Sequence, residues 1–376
     1  MVSSVNFRFP VFPKTAQSQE NIFLRNRAIA DKMKGLPPSW KGTAMPMADI
    51  AADGLQMARN VANLTPQIGS DNRIVGNLGF LSGSIWLMLG IDELANGAQD
   101  YSEATAIRDG EGTRRAKARL FSGTLLTGGS IAYLAGKTVE FAGASEVAAA
   151  GLGFAADGIF GVGSIFGMGM SCLGMYRCYR FRARLAERLE DPKIQSEALR
   201  CLRALEYLKD AMTVTDEDRA KIVEEADALD LSPKDRQAYI DQKLLDRTEV
   251  KMKYLKRRTS QRSLRMILNR IEPIMGKLAN PTLEAEGIAE AKALIADVTK
   301  ESRKKSLLYA IAFIASAIGF AALVIGTFFT AGALPLILYI ISSAIYIGMA
   351  GYAFYQKMNA KQPEISGANL PPLSAS

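Results

Sequence analysis

The sequence predicts an all-α fold: an integral membrane protein with two transmembrane helical hairpins and a central soluble helical bundle. Three observations point to it. Leu307 to Tyr355 carries no charged residue and is interrupted once, at Ala331-Gly332-Ala333-Leu334-Pro335. A second, glycine-rich apolar block runs from Leu120 to Tyr176. The polar chain between them repeats apolar residues at helical spacing throughout. About 20 apolar residues cross a bilayer's hydrocarbon core, so Leu308 to Phe329 and Leu336 to Tyr355 are each expected to cross once. The chain then enters and leaves on one side.

In chain order, residues 1–73 read as a polar, partly disordered region. Pro10, Pro13, Pro37 and Pro38 interrupt its start, and an amphipathic helix is expected near Met47 to Ala62. The N-terminus lacks the continuous apolar core of a secretory signal peptide, so export would need another route. Residues 74–118 read as a buried or interfacial helix with its connector. If Ile74 to Ile91 crossed alone, it would place the bases Arg114 to Arg119 opposite Arg73, against the positive-inside rule. A genuine fifth span is the alternative.

Residues 119–176 form the first expected hairpin. Leu120 to Gly136 is one candidate span. A carboxylate at mid-bilayer costs roughly 2.5 to 3.5 kcal/mol on insertion scales, so the second is placed at Gly158 to Tyr176, leaving Asp157 at the interface. Asp157 is also the one carboxylate here that would suit an ion pathway. Gly163 and Gly167 have the small-xxx-small spacing of close helix packing, which leaves a homo-oligomer open. Basic residues flank both apolar blocks, at Arg114, Arg115, Lys117 and Arg119, at Arg177 to Arg184, at Arg303 to Lys305, and at Lys357 and Lys361. All four flanks therefore choose the same side. Cys178 lies among three of these arginines, where an inert thiol is the stronger reading than an acylation site.

Residues 177–305 are expected to be a soluble helical domain with coiled-coil character. Thr215 with Asp218, and Ser232 with Pro233, mark helix starts. Leu264, Ile267, Ile271, Ile274 and Leu278 follow a three-four spacing, continued by Ile288, Ile295 and Val298. This seam serves an intramolecular antiparallel bundle, or else a helical protein partner. Charge is segregated: Asp216 to Asp230 holds seven acids and two bases, whereas Arg247 to Arg270 holds nine bases and the single acid Glu249. One helix is expected to present Arg247, Lys251, Lys253, Lys256, Arg257, Arg258, Arg262, Arg265 and Arg270 as a face for anionic lipid or a partner, the alternative being ion pairs with the acidic helix. Residues 306–356 form the second hairpin and 357–376 a disordered tail.

Chemistry has little to stand on. There is no histidine, and Lys+Arg 46 exceeds Asp+Glu 38. His-dependent triads and His-ligated metals are thereby excluded. No phosphate-binding loop, nucleophile elbow or dinucleotide fingerprint occurs. Catalytic residues, cofactors and metals are accordingly not expected, and neither is nucleic acid, because the bases lie beside apolar blocks.

The paired apolar lobe at Leu307 to Tyr355, repeated at Leu120 to Tyr176, with helical polar regions on one side, resembles the bilobed inclusion-membrane proteins of chlamydiae. That resemblance implies a type III secreted effector in a vacuole membrane, with its soluble part in host-pathogen interaction. Two hairpins and a large central domain depart from that family's usual pattern. The alternatives are a type III translocator or other pore-forming protein, and a bacterial inner-membrane protein.

Overall fold

In the computed structural model, residues 41–64, 72–106, 110–229, 231–328 and 333–359 are described. The expectations for residues 1–40 and the tail, together with Asp230 and the turn at Ala331-Gly332, lie outside them. The described chain is helical, with no strand among its residues. Its helices are α1 (Lys41–Leu64), α2 (Asn72–Ala106), α3 (Gly110–Phe141), α4 (Glu146–Leu189), α5 (Glu197–Asp210), α6 (Asp216–Asp227), α7 (Pro233–Arg258), α8 (Gln261–Leu278), α9 (Glu284–Phe328) and α10 (Ala333–Asn359).

Local chemistry accounts for many of the boundaries. Ser196 caps α5 by accepting from the Leu199 amide. Thr215 and Asp218 form a reciprocal capping box at α6. Ser232 caps α7, with Pro233 in the first turn where no amide hydrogen is needed. Ser260 caps α8.

The helices group into two compact units. One comprises 90–125 and 162–314, the other 41–89, 126–161 and 315–359. The first, more polar unit has a core built from Phe181 and Leu185 of α4, Leu205 and Leu208 of α5, Leu255 of α7, Ile267, Ile271 and Ile274 of α8, and Leu294 and Val298 of α9. The heptad-spaced seam is thus buried within its own chain. A smaller cluster joins Ile222 and Ala226 of α6 to Tyr239 and Leu244 of α7. Leu94 approaches so closely at Gly123 that a Cβ there would lie 2.9 Å from its amide nitrogen, which places α2 and α3 antiparallel. The ring of Tyr309 lies against Gly174, and Arg182 donates to the Ser302 carbonyl at 3.2 Å, so α4 and α9 also run antiparallel.

In the second, more apolar unit, Phe141 meets Gly76, and Tyr133 with Leu134 meets Gly83, so α2 and α3 are antiparallel here too. Phe160 of α4 fits against Gly129 of α3. Ser342 of α10 donates to the Ala315 carbonyl of α9 at 3.0 Å, and Ser316 and Tyr346 share a hydrogen bond of 2.7 Å. α1 packs on α10 and receives the Ser82 hydroxyl of α2 at the Ala52 carbonyl, 3.3 Å.

Among the described residues, four helices are long and apolar enough to cross a membrane: Val75–Ser102, Glu146–Leu189, Glu284–Thr327 and Ala333–Tyr352. Between 17 and 28% of the most apolar stretch of each is buried in the protein, which leaves most of that hydrocarbon surface to be covered by something else. This set differs from the expected one in two respects. α2, expected to be buried or interfacial, belongs to it; α3, which holds Leu120 to Gly136, does not. The basic start of α3 and the hydroxyls of Ser122, Thr124, Thr127 and Ser130 dilute its apolar character. α2 runs back antiparallel as α3. α4 and α9 pass residues 177 and 305 without a break.

Candidate functional site

The basic row is divided by the fold. Instead of one helix, it lies on α7 and α8, which part at Thr259 (φ −129°, ψ −112°). Thr259 is fully buried and its hydroxyl donates to the Leu255 carbonyl at 2.8 Å. With Ser260 capping α8, the break satisfies its own backbone.

On the first part of α7 the bases are paired. Arg247 Nη2 is 3.3 Å from one oxygen of Asp218, and Lys251 Nζ is 2.6 Å from the other. Burial works against the Asp218 carboxylate, but hydrogen bonds from Lys251 and Thr215 outweigh it and hold the group down at about 2. An open groove beside it, lined by Asp218, Lys221, Glu224, Glu225, Lys243 and Arg247, carries mixed charge and has a volume of about 500 Å³. Among the described residues no cluster of three metal-ligating groups occurs.

The bases around the break differ. Lys256, Arg257 and Arg262 are exposed, and Arg258 is half-buried and engaged. Tyr309, third residue of the charge-free stretch, donates to the Arg257 carbonyl at 3.4 Å. Lys305 lies 5.7 Å from the centre of the Tyr309 ring, within electrostatic reach of Lys256 and Arg257. Cations of α7 and α9 therefore gather where the apolar stretch begins. The nearby acid Glu301 is bonded to Lys304 at 2.8 Å. Farther along α8, Arg265 is engaged and Arg270 is 4.0 Å from Asp297; the side chain of Lys253 lies outside the described residues.

Among the described residues nothing comes within 4 Å of a Cβ position at Gly163, so none of them packs closely on it. Gly167 is half-exposed on the same helix. Cys178 is fully buried, and its carbonyl accepts from Ser302 at 3.5 Å, which leaves no access for acylation.

Sequence reasoning missed a second polar group, in the apolar unit. The Arg59 guanidinium of α1 stands 5.4 Å from the ring centre of Tyr133 on α3. Both crowd Gly79 of α2 so closely that a Cβ there would strike the Tyr133 hydroxyl. The recurrence of Asp53, Gln56 and Asn60 at one face of α1 was the available signal.

Comparison of the chain with family models, curated proteins and solved structures gave no significant match.

Proposed function

We propose that this is a non-enzymatic integral membrane protein that holds a helical, charge-segregated domain at one membrane face and engages anionic lipid through the α7–α8 corner. The observation that supports it best is the position of that corner: exposed Lys256, Arg257 and Arg262 beside a backbone carbonyl bonded to Tyr309, at the start of the apolar stretch. Like charges in mutual reach are relieved by an anion, and each Lys or Arg near an anionic membrane surface contributes about 1 kcal/mol. The core residues contributed by α4 and α9 fix this corner relative to both helices in the same unit.

The test uses the full chain in nanodiscs of phosphatidylcholine with or without phosphatidylserine. Lipids retained on mild extraction are identified by native mass spectrometry. Phosphatidylserine is expected to be enriched, salt-sensitively, and the enrichment should fall when Lys256, Arg257 and Arg262 are changed to Gln. Equal retention by wild type and variant would reject the lipid contact.

The resemblance to inclusion-membrane proteins enters as part of this proposal. In that version an epitope in the α5–α6 connection should be reached from the host cytosol in selectively permeabilised infected cells. Signal confined to the bacterium would point to a bacterial inner-membrane protein.

A further inference from the structure

We infer that the apolar unit contains a binding site for a small anionic group, built on Arg59, Asn60 and Tyr133. On α1, Gln56 Nε2 donates to Asn60 Oδ1 at 3.5 Å. Asn60 is 2% exposed, and its Nδ2 has no acceptor among the described residues. The neighbouring Arg59 Nε is buried and equally without an acceptor, as is the Tyr133 hydroxyl. One and two turns earlier on α3, the hydroxyls of Ser130, itself 0% exposed, and Thr127 repeat the pattern.

Chemistry selects the ligand. Arg Nε and Asn Nδ2 can only donate, so only an acceptor satisfies them. A buried donor left unmade is costly, and one that belongs to a charged group more so. A cation would be repelled by Arg59, and a neutral ligand would leave its charge uncompensated. A monovalent anion both accepts the hydrogen bonds and balances the charge. The charged groups around Arg59 are few. Asp157 of α4 is within its electrostatic reach, but is exposed, so it competes at a distance without closing these donors. Asp53, two turns back on α1, is buried and already engaged. Tyr133 and Tyr339 share the field of Asp157 and Arg59. The anion could be a free halide or the phosphate of a lipid headgroup; the site's chemistry is the same for both.

The experiment uses the full chain with Trp40→Phe in phosphatidylcholine nanodiscs, so that Trp86, one turn beyond Ser82 on α2, reports. Iodide should quench it with a saturable component that chloride competes away. Arg59→Gln should weaken that component about tenfold or more, the loss of one charge-assisted contact. Asp157→Asn should strengthen it. Gly79→Ala, whose Cβ displaces the Tyr133 hydroxyl and the Arg59 side chain, should weaken it with helix content unchanged by circular dichroism. If phosphatidylglycerol in the disc abolishes saturable quenching and co-purifies with wild type but not with Arg59→Gln, the occupant is the headgroup. Linear quenching identical in wild type and both site variants, with no phosphatidylglycerol retention, would overturn the site.

Discussion

Asp218 in the polar unit and Arg59 in the apolar unit are both charges held in helical packing, yet they are treated oppositely. Asp218 receives a lysine, an arginine, the Thr215 hydroxyl and the Thr215 backbone amide, so each of its oxygens is engaged. Arg59 leans on a tyrosine ring and keeps a buried Nε–H without an acceptor. A charge whose bonds are all made is part of the scaffold. One whose bonds are left open, where the dielectric is low, marks a place where something else completes the set.

This contrast can be broken by substitution. The largest effect is expected from Asp218→Ala, which strands Arg247 and Lys251 and removes half of the α6 capping box. Thermal unfolding of the detergent-solubilised chain should show a loss of about 2 kcal/mol. An unchanged midpoint would mean that the cluster is ornamental.

Arg59→Leu should do the reverse in a buffer without small anions. Replacing a half-buried charge that keeps an unpaired buried Nε–H with hydrocarbon is expected to raise stability by about 1 kcal/mol. A clear loss instead would show that Arg59 has all the partners it needs, and the contrast with Asp218 would disappear.

The pH dependence sharpens the same comparison. Asp218 is lowered from an ordinary 3.8 to about 2. Its folded form therefore binds a proton less readily than the unfolded chain, so the stabilisation is present above about pH 4 and is lost as pH falls towards 2. Allowing for solvent screening, the contribution is about 1 kcal/mol. Asp218→Asn should flatten the acid limb of the stability curve; a limb of unchanged slope would assign it to other carboxylates.

The smallest effect on stability is expected from changing Lys256, Arg257 and Arg262 together to Gln. Exposed charges, of which Arg262 also lies within electrostatic reach of Glu301, contribute within about 0.5 kcal/mol each way. If the melting midpoint drops substantially while anionic-lipid retention stays constant, those bases are structural and the corner is no lipid contact.

Legibility in the sequence followed the range of the interactions. The capping box at Thr215 and Asp218 and the Ser232-Pro233 start were readable because their atoms lie within four residues. The seam from Leu264 to Leu278 was readable because helical periodicity is local. The break at Thr259 was harder, since the surrounding bases favour continued helix and its sign is a modest Ser260 cap. The pairing of α2 with α3 depends on Gly76 and Gly83 meeting side chains more than forty residues away, and no window of hydropathy contains that information. The Arg59 group left only its α1 half in the sequence, in the recurrence of Asp53, Gln56 and Asn60; its other donors come from α3, which only tertiary packing brings to α1.

The unbroken passage of α4 and α9 has a mechanical meaning. At 1.5 Å per residue, a helix of 44 residues is a rod of about 66 Å. Bilayers of different thickness tilt the helices that cross them. Between residues 162–176 of α4, or 307–314 of α9, and the core residues of the same unit there is no joint, so tilt imposed on that apolar length is not absorbed by a swivel. It becomes strain at Phe181, Leu185, Leu294 and Val298, where the same rods form the core, and bilayer thickness becomes a variable to which that core responds.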